Sequence, residues 1–259
     1  VRFLGFPADL ADYHQGELLL LTNGNILHWG EDAPLGDGRL FTTLYGSYAG
    51  EKLYRLFAVA SADGGFTWRY HAEVASWEDT PGAPEGPCES HTARLADGRV
   101  LCVYRVGSGR AYPYYKSYSG DGGLTWTKPQ PVEGAWSVEP QLVRLRGGPL
   151  LLSGGRAGLF LWVSADGSGD HWQAINLAEH HNASLPDAAA HFGDKFVQGQ
   201  ESVSPAQSTS YTGMVRLGPN EALLCYDRLA NGWQGAPGPW GAPGPWGTQD
   251  MLFCLRIRA

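Results

Sequence analysis

Short apolar segments alternate with turn-forming residues along the whole chain, and this pattern predicts strands rather than helices. Typical segments are YRLFAVA (54–60) and VLCVYR (100–105), each followed closely by Gly, Asp or Ser. The 259 residues include 36 Gly and 17 Pro, and no stretch has a convincing apolar period of 3.6 residues. We therefore predict an all-β chain of short strands joined by many turns.

Two nearly identical octapeptides interrupt the strand pattern, SADGGFTW (61–68) and SGDGGLTW (119–126), and a longer variant, SADGSGDHW (164–172), follows them. In such a sequence the Asp can accept hydrogen bonds from nearby backbone N–H groups, and the Gly pair supplies positive φ angles. The Trp then returns to the core. The octapeptides therefore predict hairpin turns, and their repetition predicts one supersecondary unit that is used several times.

A second repeat places charged residues at strand ends. Three hairpins begin at Glu89 (ESHTARL), Glu139 (EPQLVRL) and Tyr211 (YTGMVRL), and they end at Arg105, Arg156 and Arg228. The two ends of an antiparallel hairpin lie side by side, so each Arg is predicted near its own Glu or Tyr. In a radial arrangement the three ends could share one ligand face. Alternatively, the pairs are simply inter-strand salt bridges.

We interpret the chain as a single domain over 1–259 with blades at about 25–77, 88–130, 137–178 and 209–259. Residues 179–208 have no strand pattern and predict a long loop or a degenerate blade. The tandem GAPGPWGAPGPW (235–246) predicts a surface loop insertion. Its two Trp could alternatively form a platform on which a sugar stacks.

The octapeptides match the Asp-box pattern S-x-D-x-G-x-T-W, and on this basis the chain resembles the sialidase (neuraminidase) superfamily of BNR-repeat β-propellers. The resemblance implies an all-β, sialidase-like β-propeller that has six blades when complete. Only four units are evident, so we expect either partial blades from 1–24 and 179–208 or missing N-terminal sequence. In that family the Asp boxes are structural, so they imply no chemistry here.

The resemblance also implies a function. Sialidases are retaining glycoside hydrolases that remove a terminal acidic sugar with a Tyr nucleophile. SYTGMVRL resembles the segment that bears this nucleophile, which would be Tyr211, and VEPQLVRL resembles the strand that bears its base, Glu139. SGGRAGLF resembles the segment that bears an Arg in contact with the sugar carboxylate, which would be Arg156. From the internal repeat we further expect Arg105, Arg228 and Glu89 to bind substrate.

The sequence also departs from the family. It has no F/Y-R-I-P segment near its start and no Arg between Arg156 and Arg216. The acid cannot be placed, because the candidates Asp12, Asp32 and Asp79 lie in no motif. Two alternatives therefore stay open: a glycan-binding propeller without catalysis, and a polysaccharide lyase with His180 or His181 as its base.

Charge and composition limit the classes of partner that the protein is expected to bind. A formal net charge of −7 argues against nucleic acid, so the expected partner is a glycan or glycoconjugate. The longest apolar run, ELLLLTNGNILHW, is broken at Asn23-Gly24, so no transmembrane segment is predicted. The spacing of the His residues fits no zinc-binding pattern, so we expect no metal site. We also expect no cofactor, and we expect the protein to be a monomer. The start at Val1 does not indicate a compartment, although a secreted, extracellular location is favoured.

Overall fold

The computed structural model describes residues 1–7, 20–28, 39–200, 206–233 and 250–259. The chain divides into two compact units, one of Val1–Gly107 with Tyr115–Pro131 and the other of Ser108–Tyr114 with Val132–Ala259. Sixteen strands and two short α-helices occur in the described ranges. The all-β fold class predicted from the sequence is therefore confirmed.

The first sheet has five strands in the order β1-β5-β4-β3-β2. They are β1 (Arg2–Leu4), β2 (Leu27–His28), β3 (Leu40–Gly46), β4 (Arg55–Ser61) and β5 (Thr67–Ala75). Strand β4 is buried along its whole length, which explains why its sequence lacks the polar–apolar alternation of a half-exposed strand. Strand β1 was not predicted, and it pairs in parallel with β5.

The second sheet has the order β6-β7-β8-β9. Its strands are β6 (Cys88–Arg94), β7 (Val100–Arg105), β8 (Pro113–Ser119) and β9 (Gln130–Trp136). Strands β6 and β7 form the first of the repeated hairpins. Their register shifts between Cys88 and Ser90, so Glu89 occupies a bulge. A bulge changes the direction of the side chain that it carries, and the Glu89 side chain forms an ion pair with Arg105.

The third and fourth sheets contain the other two repeated hairpins. The third consists of β10 (Gln141–Arg144), β11 (Leu150–Gly155), β12 (Leu159–Ser164) and β13 (Gln173–Asn176) in that order. The fourth consists of β14 (Thr212–Gly218), β15 (Glu221–Arg228) and β16 (Met251–Arg258). Strand β15 alternates between buried and partly exposed residues, so one face of this sheet covers a core.

The segment predicted as a loop or degenerate blade at 179–208 is partly helical. It contains most of α1 (Leu177–Ser184) and all of α2 (Asp194–Val197). The Asn176 side chain caps α1 by accepting a hydrogen bond from the Glu179 N–H at 3.1 Å. Phe192 and Phe196 are buried in the core that the segment shares with the third and fourth sheets. These helices are too short to give a periodic apolar signal in the sequence.

The turns formed by the two octapeptides and their longer variant share two side-chain hydrogen bonds. In each turn the Ser hydroxyl bonds to the Asp carboxylate and the Trp indole donates to a Gly carbonyl: Ser61 to Asp63 at 2.8 Å, Trp68 to Gly65 at 3.0 Å, Ser119 to Asp121 at 2.9 Å, Trp126 to Gly123 at 3.1 Å, Ser164 to Asp166 at 2.9 Å and Trp172 to Gly169 at 3.0 Å. Hydrogen bonds from the Thr125 hydroxyl and N–H lower the pKa of Asp121 to about 2. These Asp side chains therefore stabilise their own turns.

Candidate functional site

Arg156 lies in the turn between β11 and β12, within the second compact unit. Its carbonyl accepts a hydrogen bond from the Val138 N–H at 3.0 Å, and its own N–H donates to the Gly158 carbonyl at 2.6 Å. The residue has a positive φ of 77° and is only 6% exposed. A non-glycine residue in this backbone region costs free energy, and such residues concentrate at functional sites. The turn thus holds a nearly buried guanidinium group at the end of β11.

Two aromatic rings flank this guanidinium group. Its Cζ atom lies 5.2 Å from the ring centroid of Tyr211 and 4.2 Å from that of Trp233. Tyr211 comes directly before β14 and is half-buried, whereas Trp233 lies five positions after the end of β15 and is 48% exposed. Both distances fall within the range of cation–π attraction. The structure thus brings together two of the sequence-predicted residues, Arg156 and Tyr211.

Trp233 was not predicted from the sequence. Its only signal is its position just after the third repeated hairpin, and no counterpart recurs after the other two hairpins.

The glycine pair before Arg156 allows the close approach of neighbouring segments. A Cβ atom on Gly155 would lie 2.8 Å from the Thr209 methyl group, and one on Gly154 would lie 2.1 Å from the Tyr114 hydroxyl. The hydroxyls of Ser153 and Thr212 are 2.9 Å apart and join β11 to β14. The sequence SGGR therefore sets how closely the end of β11 approaches the residues around Tyr211.

Glu139 lies beside the same turn, because it follows Val138, whose N–H bonds to the Arg156 carbonyl. Its Oε1 atom accepts a hydrogen bond of 3.4 Å from the Gln141 side chain, and the residue is half-buried. Its φ of 41° is in the left-handed region. Glu89, at the equivalent position of the first repeated hairpin, has a φ of 38°. The repeat therefore preserves an unusual backbone conformation as well as a residue type.

Arg105 and Glu89 form an ion pair within the first compact unit. The Arg105 Nε atom lies 2.5 Å from Glu89 Oε2 and its second terminal nitrogen lies 2.9 Å from Oε1, while Glu85 approaches at 2.7 Å. Burial by itself lowers the pKa of Arg105, but Cys88 and the two carboxylates outweigh it and raise the pKa overall. The guanidinium group is thus engaged by two carboxylates, as in the salt-bridge interpretation of the repeat.

Arg228 is fully buried and anchors a loop. Its guanidinium group donates to the carbonyls of His191 at 3.1 Å and Ala189 at 2.9 Å. Burial lowers its pKa. Because its side chain is occupied in this way and has no exposed surface, we leave Arg228 out of the candidate site.

His181, a candidate base in the lyase alternative, belongs to a core. Its Nδ1 atom lies 2.9 Å from the Tyr226 hydroxyl and its Nε2 atom lies 3.0 Å from the Ala190 carbonyl. Burial lowers its pKa, and the rings of Phe192 and Phe253 pack against it. Both ring nitrogens are therefore engaged, which argues against a role in proton abstraction. His180, its neighbour, is exposed.

Among the candidate acids, Asp79 accepts hydrogen bonds from the backbone N–H and hydroxyl of Ser76, both at 3.0 Å, and so stabilises a short turn. Asp12, Asp32 and the tandem at 235–246 lie outside the described residues. Within the described ranges, no cluster of three or more His, Cys, Asp or Glu side chains could hold a metal ion. No helix in the same ranges is long and apolar enough to cross a membrane.

The chain belongs to the family of BNR repeat-like domains, whose model matches residues 11–218. A solved Dyadobacter fermentans protein of unknown function superposes with a TM-score of 0.63 at 18% identity, over 94% of this chain and 56% of its own. An α-L-arabinofuranosidase from Fusarium graminearum gives 0.54 at 17% identity, over 90% and 61%. A Streptococcus pneumoniae NanB sialidase mutant gives 0.51 at 18% identity, over 79% and 27%. No curated protein matches the chain.

These likenesses show the fold, which is sialidase-like and which sialidases share with the arabinofuranosidase. The family model confirms the BNR-repeat resemblance drawn from the octapeptides. In each of the three superpositions the chain spans less than two thirds of the length of the solved protein.

Proposed function

We propose that the protein is a retaining glycoside hydrolase that removes a terminal acidic sugar from glycans. In this proposal Tyr211 is the nucleophile, Glu139 is its base and Arg156 binds the sugar carboxylate. The observation that carries the proposal is the guanidinium group of Arg156 lying 5.2 Å from the ring of Tyr211.

The chemistry explains why these residue types belong together. A carboxylate nucleophile would bring a second negative charge towards an acidic sugar, whereas a neutral phenol would not. Glu139 would accept the phenolic proton as the Tyr211 oxygen attacks the anomeric carbon and the leaving oxygen departs. Water would then hydrolyse the glycosyl–tyrosine bond. We assign no residue to the acid that protonates the leaving oxygen.

Arg156 gives the proposal its substrate class. Guanidinium groups bind carboxylates through paired, charge-assisted hydrogen bonds, and a desolvated guanidinium group does so more strongly than an exposed one. A sialoside or a uronide supplies such a carboxylate. An arabinofuranoside, the substrate class in the name of the Fusarium relative, does not. We therefore rank acidic sugars first and use the arabinofuranoside as the competing substrate.

The test measures fluorophore release from an aryl sialoside, an aryl uronide and an aryl α-L-arabinofuranoside. We expect turnover of an acidic glycoside that falls about 100-fold or more in Tyr211→Phe while the melting temperature holds. The matched control is Tyr115→Phe, which removes a hydroxyl from β8 in the other compact unit and should leave the rate unchanged. Arg156→Lys should raise KM more than it lowers kcat, because it keeps the charge and loses the paired geometry.

Four other results would contradict this proposal or favour one of the alternative functions. Full activity in Tyr211→Phe would remove the tyrosine mechanism, and turnover of the arabinofuranoside alone would remove the acidic sugar. Glycan binding without turnover by the folded chain would favour a binding propeller. An unsaturated product from a uronate polymer would favour the lyase, with the exposed His180 as its remaining base candidate.

A further inference from the structure

Two cysteines face each other across the last pair of strands. Cys225 on β15 is the direct register partner of Cys254 on β16, and their Sγ atoms lie 2.6 Å apart. Both are free thiols, and Cys254 is exposed whereas Cys225 is half-buried. Cys88 and Cys102, in contrast, are buried in the second sheet.

The strand register alone makes this pair suitable for cross-linking. Directly opposed residues of an antiparallel ladder have Cα atoms about 4.5–5.5 Å apart and side chains on the same face. A disulfide spans Cα separations of about 4.4–6.8 Å. The two strands would therefore need no rearrangement to accept the bond.

We propose that Cys225 and Cys254 are a modification site at which a small-molecule disulfide forms a cross-strand disulfide between β15 and β16. The exposed Cys254 thiolate attacks one sulfur of the oxidant and displaces the other as a thiolate. Cys225 then attacks the Cys254 sulfur of the mixed disulfide and releases the second thiolate. Two protons and two electrons leave the cysteines, and the oxidant becomes two thiols.

The reactivity of the two thiols fits this order. The hydrogen bond with Cys254, followed by burial, raises the pKa of Cys225 to about 11. Cys254 is also accessible from solvent, whereas Cys225 is half-buried. Attack by a thiolate depends on both its concentration and its access, so Cys254 reacts first.

The bond would close the segment from Cys225 to Cys254, which contains Arg228 and Trp233. Arg228 fixes the residues around His191, and Trp233 covers Arg156. A cross-link that closes a loop of this length stabilises a protein mainly by restricting its unfolded chain. We therefore expect oxidation to raise the melting temperature of the chain, by about 5 °C or more.

The test incubates the whole chain with oxidised glutathione, using protein kept in dithiothreitol as the reference. We expect denatured thiol titration to fall by two from the four cysteines, with loss of two hydrogens in the intact mass. Peptide mapping should place the bond between Cys225 and Cys254. In Cys225→Ser, Cys254 should instead retain one glutathione, and in Cys254→Ser the melting temperature should be the same with and without oxidant.

Four remaining thiols, a bond that involves Cys88 or Cys102, or a bond between two chains would each overturn the proposal. If the cross-link forms and the melting temperature does not rise, the stabilising role is wrong. None of these readouts uses glycosidase activity, so the result is independent of the proposed catalytic function.

Discussion

The guanidinium carbon of Arg156 lies 4.2 Å from the centroid of the Trp233 indole ring. Arg156 is nearly buried, whereas about half of the Trp233 surface is open to solvent. The indole ring therefore lies within cation–π distance of a nearly buried guanidinium group. We therefore expect Trp233 to stabilise the position of the Arg156 guanidinium group.

The first prediction concerns the free-energy coupling of this pair. In a double-mutant cycle of Arg156→Met and Trp233→Ala, we expect a coupling of about 0.5–2 kcal/mol, because a cation over an indole is worth that amount as its desolvation increases. Urea unfolding of the four proteins measures it. The matched control replaces Trp233→Ala by Leu217→Ala, a side chain on β14 with the same 48% exposure.

Leu217→Ala should combine additively with Arg156→Met, since Leu217 lies about 20 Å along the strand from Tyr211. Coupling below about 0.3 kcal/mol in the Trp233 cycle would show that the ring does not hold the guanidinium group in solution.

A second prediction compares the two carboxylates that bind Arg105. The Glu89 side chain is 6% exposed and that of Glu85 is 37% exposed. Removing one partner of a buried pair leaves an uncompensated charge, so we expect Glu89→Gln to lower the free energy of unfolding by about 2–4 kcal/mol. Glu85→Gln should cost less than about 1 kcal/mol, because water screens that ion pair.

Urea denaturation of both variants at neutral pH makes this comparison, and each variant serves as the control for the other. Equal losses would mean that burial does not distinguish the two ion pairs. A larger loss in Glu85→Gln would show that the outer carboxylate, and not the one in the bulge, balances Arg105.

The sequence predicted the neighbourhood of Arg156 and Tyr211 only indirectly. Equivalent hairpins place their first and last residues at one end, and this rule led to candidate pairs in three repeats at once. It could not show that Arg156 turns towards the hairpin that follows it, because the register within a hairpin does not determine packing between sheets. Gly155 permits the close approach of β11 to Thr209 and Thr212, on either side of Tyr211.

Other features could not be predicted by comparing the repeats. Trp233 lies after its hairpin and has no equivalent elsewhere, so no comparison between repeats could identify it. Helix α1 begins with an Asn176 cap but is too short for a periodic apolar signal. The positive φ of Glu89 arises at a bulge, and strand patterns predict pairing better than they predict its interruptions.

The last prediction concerns stability in mild acid. His91 lies on β6 and is buried, and burial lowers its pKa from 6.5 to about 4. Between pH 4 and pH 6.5, His91 is protonated in the unfolded chain but not in the folded chain. Stability is therefore fully present above about pH 6.5 and is lost as the pH falls towards 4. The difference between these two pKa values corresponds to roughly 3 kcal/mol for this residue.

Urea unfolding at several pH values between 7 and 4.5 tests this, with His91→Gln as the variant and His180→Gln as the exposed control. His91→Gln should remove about 2–3 kcal/mol of the stability difference between pH 7 and 4.5, while the control should keep the wild-type dependence. Burial also lowers the pKa of His71 and His181, so part of the dependence should remain. The carboxyl group of Glu51 does not interfere, because hydrogen bonds from Arg55 lower its pKa to about 2. The stability that Glu51 contributes is therefore lost mainly below pH 4.5. An unchanged pH dependence in His91→Gln would show that His91 binds its proton as readily in the folded chain as in the unfolded chain.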